Sequence, residues 1–339
     1  MCIRDRALTF SPRRQVTPSA ANAMSNFFDF ASAIVRVELP AYFYAAWVAS
    51  RLVPANKVDP DDLPPGTVPD CRPVNIGGAE RRVVTRTYFD EELQSTYNAI
   101  LQPVQNGVGV KGGISITTFA VTAARDAAPG HVTIQGDIKN GYDEVQRETM
   151  LQEVKKSGKL DGTVAFMHAL LEPSAYAGMG KGTDLITAPF RVPEGTHQGA
   201  VESSWLFSIA VNKPFQRANN RMAEQGGGLV AIIDDNYITG PPALAFETNK
   251  MLAEDLKKMA GLELQPKKSK CYISPAYRVD GWDRMRGDIE EGVLKREDGE
   301  EVRVNGELAR GMTVCNVPIG TEEFVLGYLE QKLKKILKG

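Results

Sequence analysis

Three aspartates carry the chemistry this sequence offers. Asp234 and Asp235 stand side by side inside Leu229-Val-Ala-Ile-Ile-Asp-Asp-Asn-Tyr-Ile-Thr239, where β-favouring apolar residues flank a turn-forming Asp-Asp-Asn. That pattern predicts a hairpin with two carboxylates at its tip. Like charges this close raise each other's pKa unless a cation neutralises them, and a divalent ion with hard oxygen ligands does so most simply. Alone, Asp-Asp-Asn is ordinary turn chemistry. The third carboxylate, Asp137, changes its meaning, because it ends a second strand-like segment, His131-Val-Thr-Ile-Gln-Gly-Asp-Ile138, far upstream. Three carboxylates converging from two strand ends are what a two-metal phosphoryl-transfer site needs, one ion activating the attacking oxygen and the other stabilising the leaving oxygens.

The elements around these residues follow from periodicity and breakers. Strands over 131–138 and 229–239, with helices between them, predict an α+β fold whose antiparallel sheet carries helices on one face. Residues 1–24 are polar and aperiodic, the signature of a disordered leader, and 25–53 read as helix. The segment 54–70 is a breaker-rich loop, and Glu80–Leu101 has apolar residues at helical spacing. Helices are expected at 117–127, 144–156 and 243–260, a helix or strand at 163–171, and hairpin material at 183–192. The run from Ala200 to Arg221 predicts a long helix kinked at Pro214. Asp143, six residues after Asp137, reads as a cap for the helix that follows it.

Composition narrows the function classes. With 339 residues and 42% hydrophobic content, the chain can bury the cores of two or three subdomains. Its most apolar early stretch, Phe30–Val53, is broken by Arg36, Glu38 and Pro40, so no membrane span is expected, and with no signal peptide an intracellular protein, nuclear or cytoplasmic, is. Four scattered cysteines and three histidines match no zinc spacing and imply free thiols in a reducing compartment. A net charge of −2 excludes a uniformly basic nucleic-acid coat. Positive stripes do exist, at Arg81, Arg82 and Arg86, at Lys257, Lys258, Lys267, Lys268 and Lys270, and from Lys332 to Lys338, while acidic residues gather in 283–301.

Four segments follow in a fixed order: Asp137-Ile-Lys-Asn-Gly-Tyr-Asp143; Gln198-Gly199 within Pro193-Glu-Gly-Thr-His-Gln-Gly-Ala-Val-Glu-Ser-Ser-Trp-Leu-Phe207; Ile233-Asp-Asp235; and Gly261-Leu-Glu-Leu-Gln-Pro-Lys-Lys-Ser-Lys270. This succession resembles palm motifs A to D of a reverse transcriptase. Upstream, Arg51-Leu-Val-Pro-Ala-Asn-Lys57, Cys71-Arg-Pro-Val-Asn75 and Gln105-Asn-Gly-Val-Gly-Val-Lys-Gly-Gly113 resemble fingers segments of the non-LTR retrotransposon type. Downstream, Val317-Pro-Ile-Gly-Thr321 resembles the element after motif D, so the likeness covers roughly 43–330. Two places depart from the family: Ala200-Val201-Glu202 follows Gln-Gly where Asp-Pro-Leu is commoner, and Ile232-Ile233 stands where Tyr-Ala is frequent.

The resemblance implies a right-hand polymerase architecture: a leader over 1–42, fingers over 43–130, motif A of the palm in 131–143, a fingers–palm connection in 144–195, the rest of the palm in 196–275, and a post-palm element with at most the start of a thumb in 276–339. It implies template-directed DNA synthesis on RNA by an RNA-directed DNA polymerase, with an RNA template, a DNA or RNA primer and deoxynucleoside triphosphates as partners. Two Mg²⁺ ions, replaceable by Mn²⁺, would be held by Asp137, Asp234 and Asp235. Lys268 would protonate the pyrophosphate leaving group. Arg72 and Lys57 would contact the triphosphate, Gln198 the incoming sugar or phosphate, Gly199 the template base, and Tyr142 would lie under the sugar and exclude a 2′-hydroxyl. The length leaves no room for an endonuclease, a ribonuclease H or a full thumb, which implies an isolated domain or a truncated reading frame. An RNA-dependent RNA polymerase and an inactive relic kept as a nucleic-acid-binding scaffold are the alternatives.

Overall fold

A computed structural model describes residues 18–56, 63–64, 66–67, 71–171, 175–178 and 190–338. In chain order the elements are α1 (Pro18–Val35), α2 (Ala41–Trp47), β1 (Ser50–Asn56), β2 (Cys71–Ile76), α3 (Ala79–Arg86), a π-helical stretch (Thr87–Glu92), α4 (Gln94–Leu101), α5 (Gly113–Ala127), β3 (Val132–Gly136), α6 (Gly141–Glu144), α7 (Arg147–Lys156), α8 (Val164–Leu171), β4 (Ala175–Gly178), β5 (Phe190–Val192), α9 (Val201–Ala223), β6 (Gly228–Ile232), β7 (Asp235–Gly240), α10 (Pro242–Ala260), β8 (Lys270–Tyr272), α11 (Trp282–Arg286), β9 (Glu290–Glu291), β10 (Arg303–Val304), β11 (Glu307–Leu308), β12 (Gly311–Val314), β13 (Val317–Gly320) and α12 (Glu322–Lys338). Among the described residues, no helix is long and apolar enough to cross a membrane.

Contacts divide the chain into two compact units. The first comprises the residues up to Ile100 together with Tyr142–Phe207; the second comprises Leu101–Gly141 and Ser208 onward. In the first, a four-stranded sheet has the order β2-β1-β4-β5, antiparallel except for the β1–β4 pair. Aromatic rings fill the core of this unit: Tyr88 meets Phe166 edge-on at 5.2 Å, and Tyr97 meets Trp205 at 4.5 Å.

The second unit is built on a five-stranded sheet of order β6-β7-β3-β8-β9. All its pairs are antiparallel except β8–β9. Opposite residues share a face, so Gln135, Thr133, Tyr237, Thr239 and Tyr272 lie on one side and Ile134, Ile238 and Cys271 on the other. Both sides are buried. Val121 of α5 packs into a cluster with Tyr237, Tyr272, Met312, Val314 and Ile319, covering the first face together with the β12–β13 hairpin. On the second face, Met222 of α9 lies against Gly240. Helices therefore cover both faces, where sequence periodicity had suggested one. Thr133 and Thr239, both polar, are buried on the α5 side and bond to each other across the strands at 3.2 Å. Ile134 and Ile238 are fully buried, each contributing roughly 1.5–3 kcal/mol of apolar burial.

Local signals account for the principal helices. α10 opens with a proline in its first turn, carries Lys257 and Lys258 in its last, and stops at Gly261, whose φ of +71° suits only a residue without a Cβ. α9 runs from 201 to 223 with Pro214 inside it. Two expectations fail near the start: the helix α1 begins at Pro18 rather than after residue 24, and 25–53 is two helices and the beginning of a strand. The first helical run stops at Val35, where Val37 turns left-handed at a φ of +58° and Glu38 donates back to the Ala33 carbonyl at 3.0 Å, and Pro40 sits as the N-terminal boundary of α2. The segment 163–171 is helical, as α8. Residues 183–189 of the expected hairpin lie outside the described residues.

Candidate active site

The carboxylates belong to the second unit, where three backbone ladders hold them. β3 ends at Gly136, paired with Asn236, and Asp137 follows directly. β6 and β7 are joined by the two residues Ile233 and Asp234, with Ile232 opposite Asp235. Side-chain alternation sets Asp235 on the face of Tyr237 and Gln135, and Asp137, two residues beyond Gln135, continues along it. Asp235 is exposed; Asp137 and Asp234 are half-buried. Although Asp235 opens to solvent on one side, its carboxyl is raised above the usual carboxylate range. The protein packed around it contributes most, the Asp234 charge next and the Asp137 charge last, against a hydrogen bond from Gln135. Three negative charges thus feel one another at this tip.

Asn236 is the brace between the two carboxylate segments. Fully buried, it donates from Nδ2 to the Gly136 carbonyl at 3.2 Å and to the Asp234 carbonyl at 3.3 Å. Gly136 has to lack a side chain, since a Cβ there would stand 2.5 Å from the Asn236 amide oxygen. Sequence reading credited Asn236 only with turn formation; its bonds to both segments depend on strand pairing and have no local signature.

The segment 261–270 is tied to the segment 137–143. Gln265 donates its N–H to the Asp137 carbonyl at 2.8 Å, Lys139 donates to the Glu263 carbonyl at 2.8 Å, and Ile138 bridges to Leu264. Ser269 Oγ accepts from the Asp137 N–H at 3.2 Å. Lys268 lies in the turn between these bonds and β8, and its side chain is exposed.

The nucleotide-pocket candidates belong to the first unit. Gln198 accepts from the Asn75 N–H at 2.7 Å, so its backbone docks on the free edge of β2. Gly199 has a φ of +102° and would place a Cβ 3.0 Å from the Asn75 carbonyl, which explains the glycine. Arg72 lies on the same strand with its side chain exposed. Tyr142 stacks on Phe207 at 5.2 Å and exchanges a hydrogen bond with Ser204 Oγ at 3.0 Å, while its carbonyl accepts from Thr196 at 2.6 Å. Lys57 lies outside the described residues. Asp143 is exposed within α6, and the cap position of α7 is taken by Gln146, so Asp143 does not cap that helix.

No family model and no curated protein matches the chain. Among solved structures it is similar to apo telomerase from Candida tropicalis, at 15% identity and a TM-score of 0.49, with 77% of this chain and 50% of that one covered. It is also similar to apo telomerase from Candida tropicalis truncated from the C-terminal domain, at 12% identity and a TM-score of 0.48, with 67% and 50% covered. The chain spans about half the length of each. At these scores neither likeness bears on function, which rests on the residues themselves.

Glu202, a departure from the family pattern, has a partner. It is buried and ion-paired with buried Arg81, which also donates to the Val48 carbonyl at 2.7 Å. His197 lies 3.5 Å from the same guanidinium, and its pKa is lowered to about 4, by burial first and the Arg81 cation next, with Glu202 opposing and Arg147 adding. A buried ion pair needs both halves to be tolerated. The carboxylate at 202 is therefore a packing partner beneath the His197-Gln198-Gly199 loop, information that Arg81, far away in sequence, could not reveal.

Among the described residues, no three His, Cys, Asp or Glu side chains form a group that would hold a metal ion as they stand. The donor set at the hairpin tip still suits a divalent cation, being all carboxylate oxygen and mutually repelling.

Proposed function

We propose that this chain is a template-directed nucleotidyl transferase, a reverse transcriptase of the non-LTR retrotransposon type, working through a palm formed by the five-stranded sheet. The observation that carries this is the placement of Asp137, Asp234 and Asp235 at adjoining ends of β3, β6 and β7, with Asp137 and Asp235 on one face of the sheet. The order of the four palm-like motifs supports it. Asp137, Asp234 and Asp235 would hold two Mg²⁺ ions, or Mn²⁺ in their place. When bound, the ions supply charge neutralisation on the triphosphate and a lowered pKa at the primer 3′-hydroxyl.

In this reading the chain's own groups position and protonate. The 3′-hydroxyl gives its proton to water as its oxygen attacks the α-phosphorus in line, the bond from the α-phosphorus to the α–β bridging oxygen breaks, and Lys268 Nζ donates a proton to the departing pyrophosphate. The Arg72 guanidinium forms charge-assisted hydrogen bonds to the triphosphate, and Lys57 is a second cation for it. Gln198 touches the incoming sugar or phosphate, Gly199 lies against the template base, and the Tyr142 ring excludes a 2′-hydroxyl. RNA template, a DNA or RNA primer and deoxynucleoside triphosphates are the partners.

Primer extension on an RNA template with Mg²⁺, run separately with deoxynucleotides and ribonucleotides, tests this. Extension with deoxynucleotides is expected. Efficient extension with ribonucleotides alone would move the protein to RNA synthesis, and no extension with either set would overturn the enzymatic reading.

A further inference from the structure

The connection that presents Asp234 is strained and is gripped by a side chain from elsewhere in the chain. Ile233 has a φ of +59°, a backbone state that β-branched residues avoid because Cβ crowds the following carbonyl. Its peptide groups meet Gln105, which is almost fully buried: Gln105 Oε1 accepts from the Ile233 N–H at 2.7 Å, and Gln105 Nε2 donates to the Ile233 carbonyl at 3.0 Å. The same oxygen accepts from the Gly107 N–H at 3.0 Å. On either side of Gln105 the backbone pairs with β6, Ala231 donating to the Val104 carbonyl and Asn106 donating to the Ala231 carbonyl, each at 2.8 Å. Asn106 Nδ2 in turn donates to Thr117 of α5 at 3.1 Å. Gly107 completes the fit, since a Cβ there would stand 2.6 Å from the Ile233 nitrogen.

We propose that Gln105 is a positioning residue that locks the left-handed Ile233 conformation and so fixes where Asp234 and Asp235 point. The clamp as such stands on hydrogen-bond geometry; its consequence for catalysis rests on the polymerase reading. A hairpin closed by glycine would need no such grip, because glycine adopts positive φ without crowding. With isoleucine there, the N–H and C=O of the turn residue are both satisfied by one buried amide, and turning its carbonyl away would leave the buried Gln105 Nε2 without that acceptor.

The test combines Gln105→Leu, which keeps volume and removes its two bonds to Ile233 together with the one to Gly107, with Ile233→Gly in the same background. Two readouts do not involve polymerisation: amide hydrogen exchange at Ile233, and binding of Mn²⁺ alone by electron paramagnetic resonance. Gln105→Leu is expected to speed exchange at Ile233 at least tenfold, to weaken Mn²⁺ binding several-fold, and, in primer extension, to lower kcat ten- to a hundredfold with little change in KM. Ile233→Gly is expected to restore much of the lost Mn²⁺ affinity and kcat. Circular dichroism and a cooperative melt confirm that each variant is folded. Unchanged exchange and Mn²⁺ binding in a folded Gln105→Leu would overturn the proposal, as would loss without rescue by glycine. If the wild type extends no primer, the polymerase reading fails, while exchange and Mn²⁺ binding still decide the clamp.

Discussion

Replacing Asp234 by asparagine removes one charge from the carboxylate tip and almost no volume, so stability and activity are expected to move in opposite directions. Coulomb's law puts the repulsion between unit charges about 5–6 Å apart at roughly 3 kcal/mol for an effective dielectric near 20, and at about 1 kcal/mol in water-like surroundings. Asp235 is exposed and Asp234 half-buried, so solvent screening favours the lower figure. In chelator, Asp234→Asn should therefore gain ~1 kcal/mol, about 2–4 °C in Tm. Adding Mg²⁺ should reverse the order. An ion present at about tenfold its dissociation constant stabilises the wild type by roughly 1.4 kcal/mol, and the variant lacks a ligand for it. The raised Asp235 pKa fixes the pH dependence: the repulsion is fully present above that raised value and fades as pH falls through it, so the wild type gains stability on mild acidification and Asp234→Asn gains less. Thermal melts with and without Mg²⁺ at several pH values, paired with primer extension, measure all of this. Extension by the variant should fall to background. A variant that extends at a rate comparable to the wild type would refute the assignment of Asp234 as a ligand.

Other expectations reach the first unit. If Tyr142 lies under the sugar, Tyr142→Val should raise ribonucleotide over deoxynucleotide incorporation ten- to a hundredfold, roughly 1–3 kcal/mol of lost steric discrimination; an unchanged ratio on one primer and template would make it a packing residue only. Glu202→Leu leaves Arg81 charged and buried, and should cost about 3–5 kcal/mol in urea unfolding; a cost below about 1 kcal/mol would mean the pair is not the buried contact described. The unfolded chain protonates His197 below about 6.5 whereas the folded chain resists until about 4, so stability is fully present above 6.5 and is lost as pH falls between these values, by roughly 3 kcal/mol at most. His197→Gln should flatten that slope, and an unaltered slope in the variant would assign it to other groups.

Much of the second unit was legible because its signals are local. Apolar, β-favouring residues flanking the turn-forming Asp234-Asp235-Asn236 specified the hairpin, and the helix α5 was bounded by an ordinary stop signal, the Ala-Pro-Gly after it. The start of the chain was less legible. Apolar content in 25–53 suits helix and strand alike, and only pairing with β2 makes a strand of 50–56. That both faces of the sheet are covered was not legible either, because two hydroxyls that satisfy each other, as those of Thr133 and Thr239 do, can be buried although each alone looks solvent-facing.

The sequence by itself determined that two strands end in carboxylates and that a hairpin tip carries two of them, since periodicity, turn chemistry and residue type act within a few neighbours. Tertiary structure alone decided that Asp137 and Asp235 share a face, that Asn236 ties their segments together, and that Gln105 grips Ile233. It also supplied Glu202 with Arg81. Each of these joins residues distant along the chain through hydrogen bonds or charges that form only when backbones pair and water is excluded, and a buried polar group states its need for a partner without naming which one.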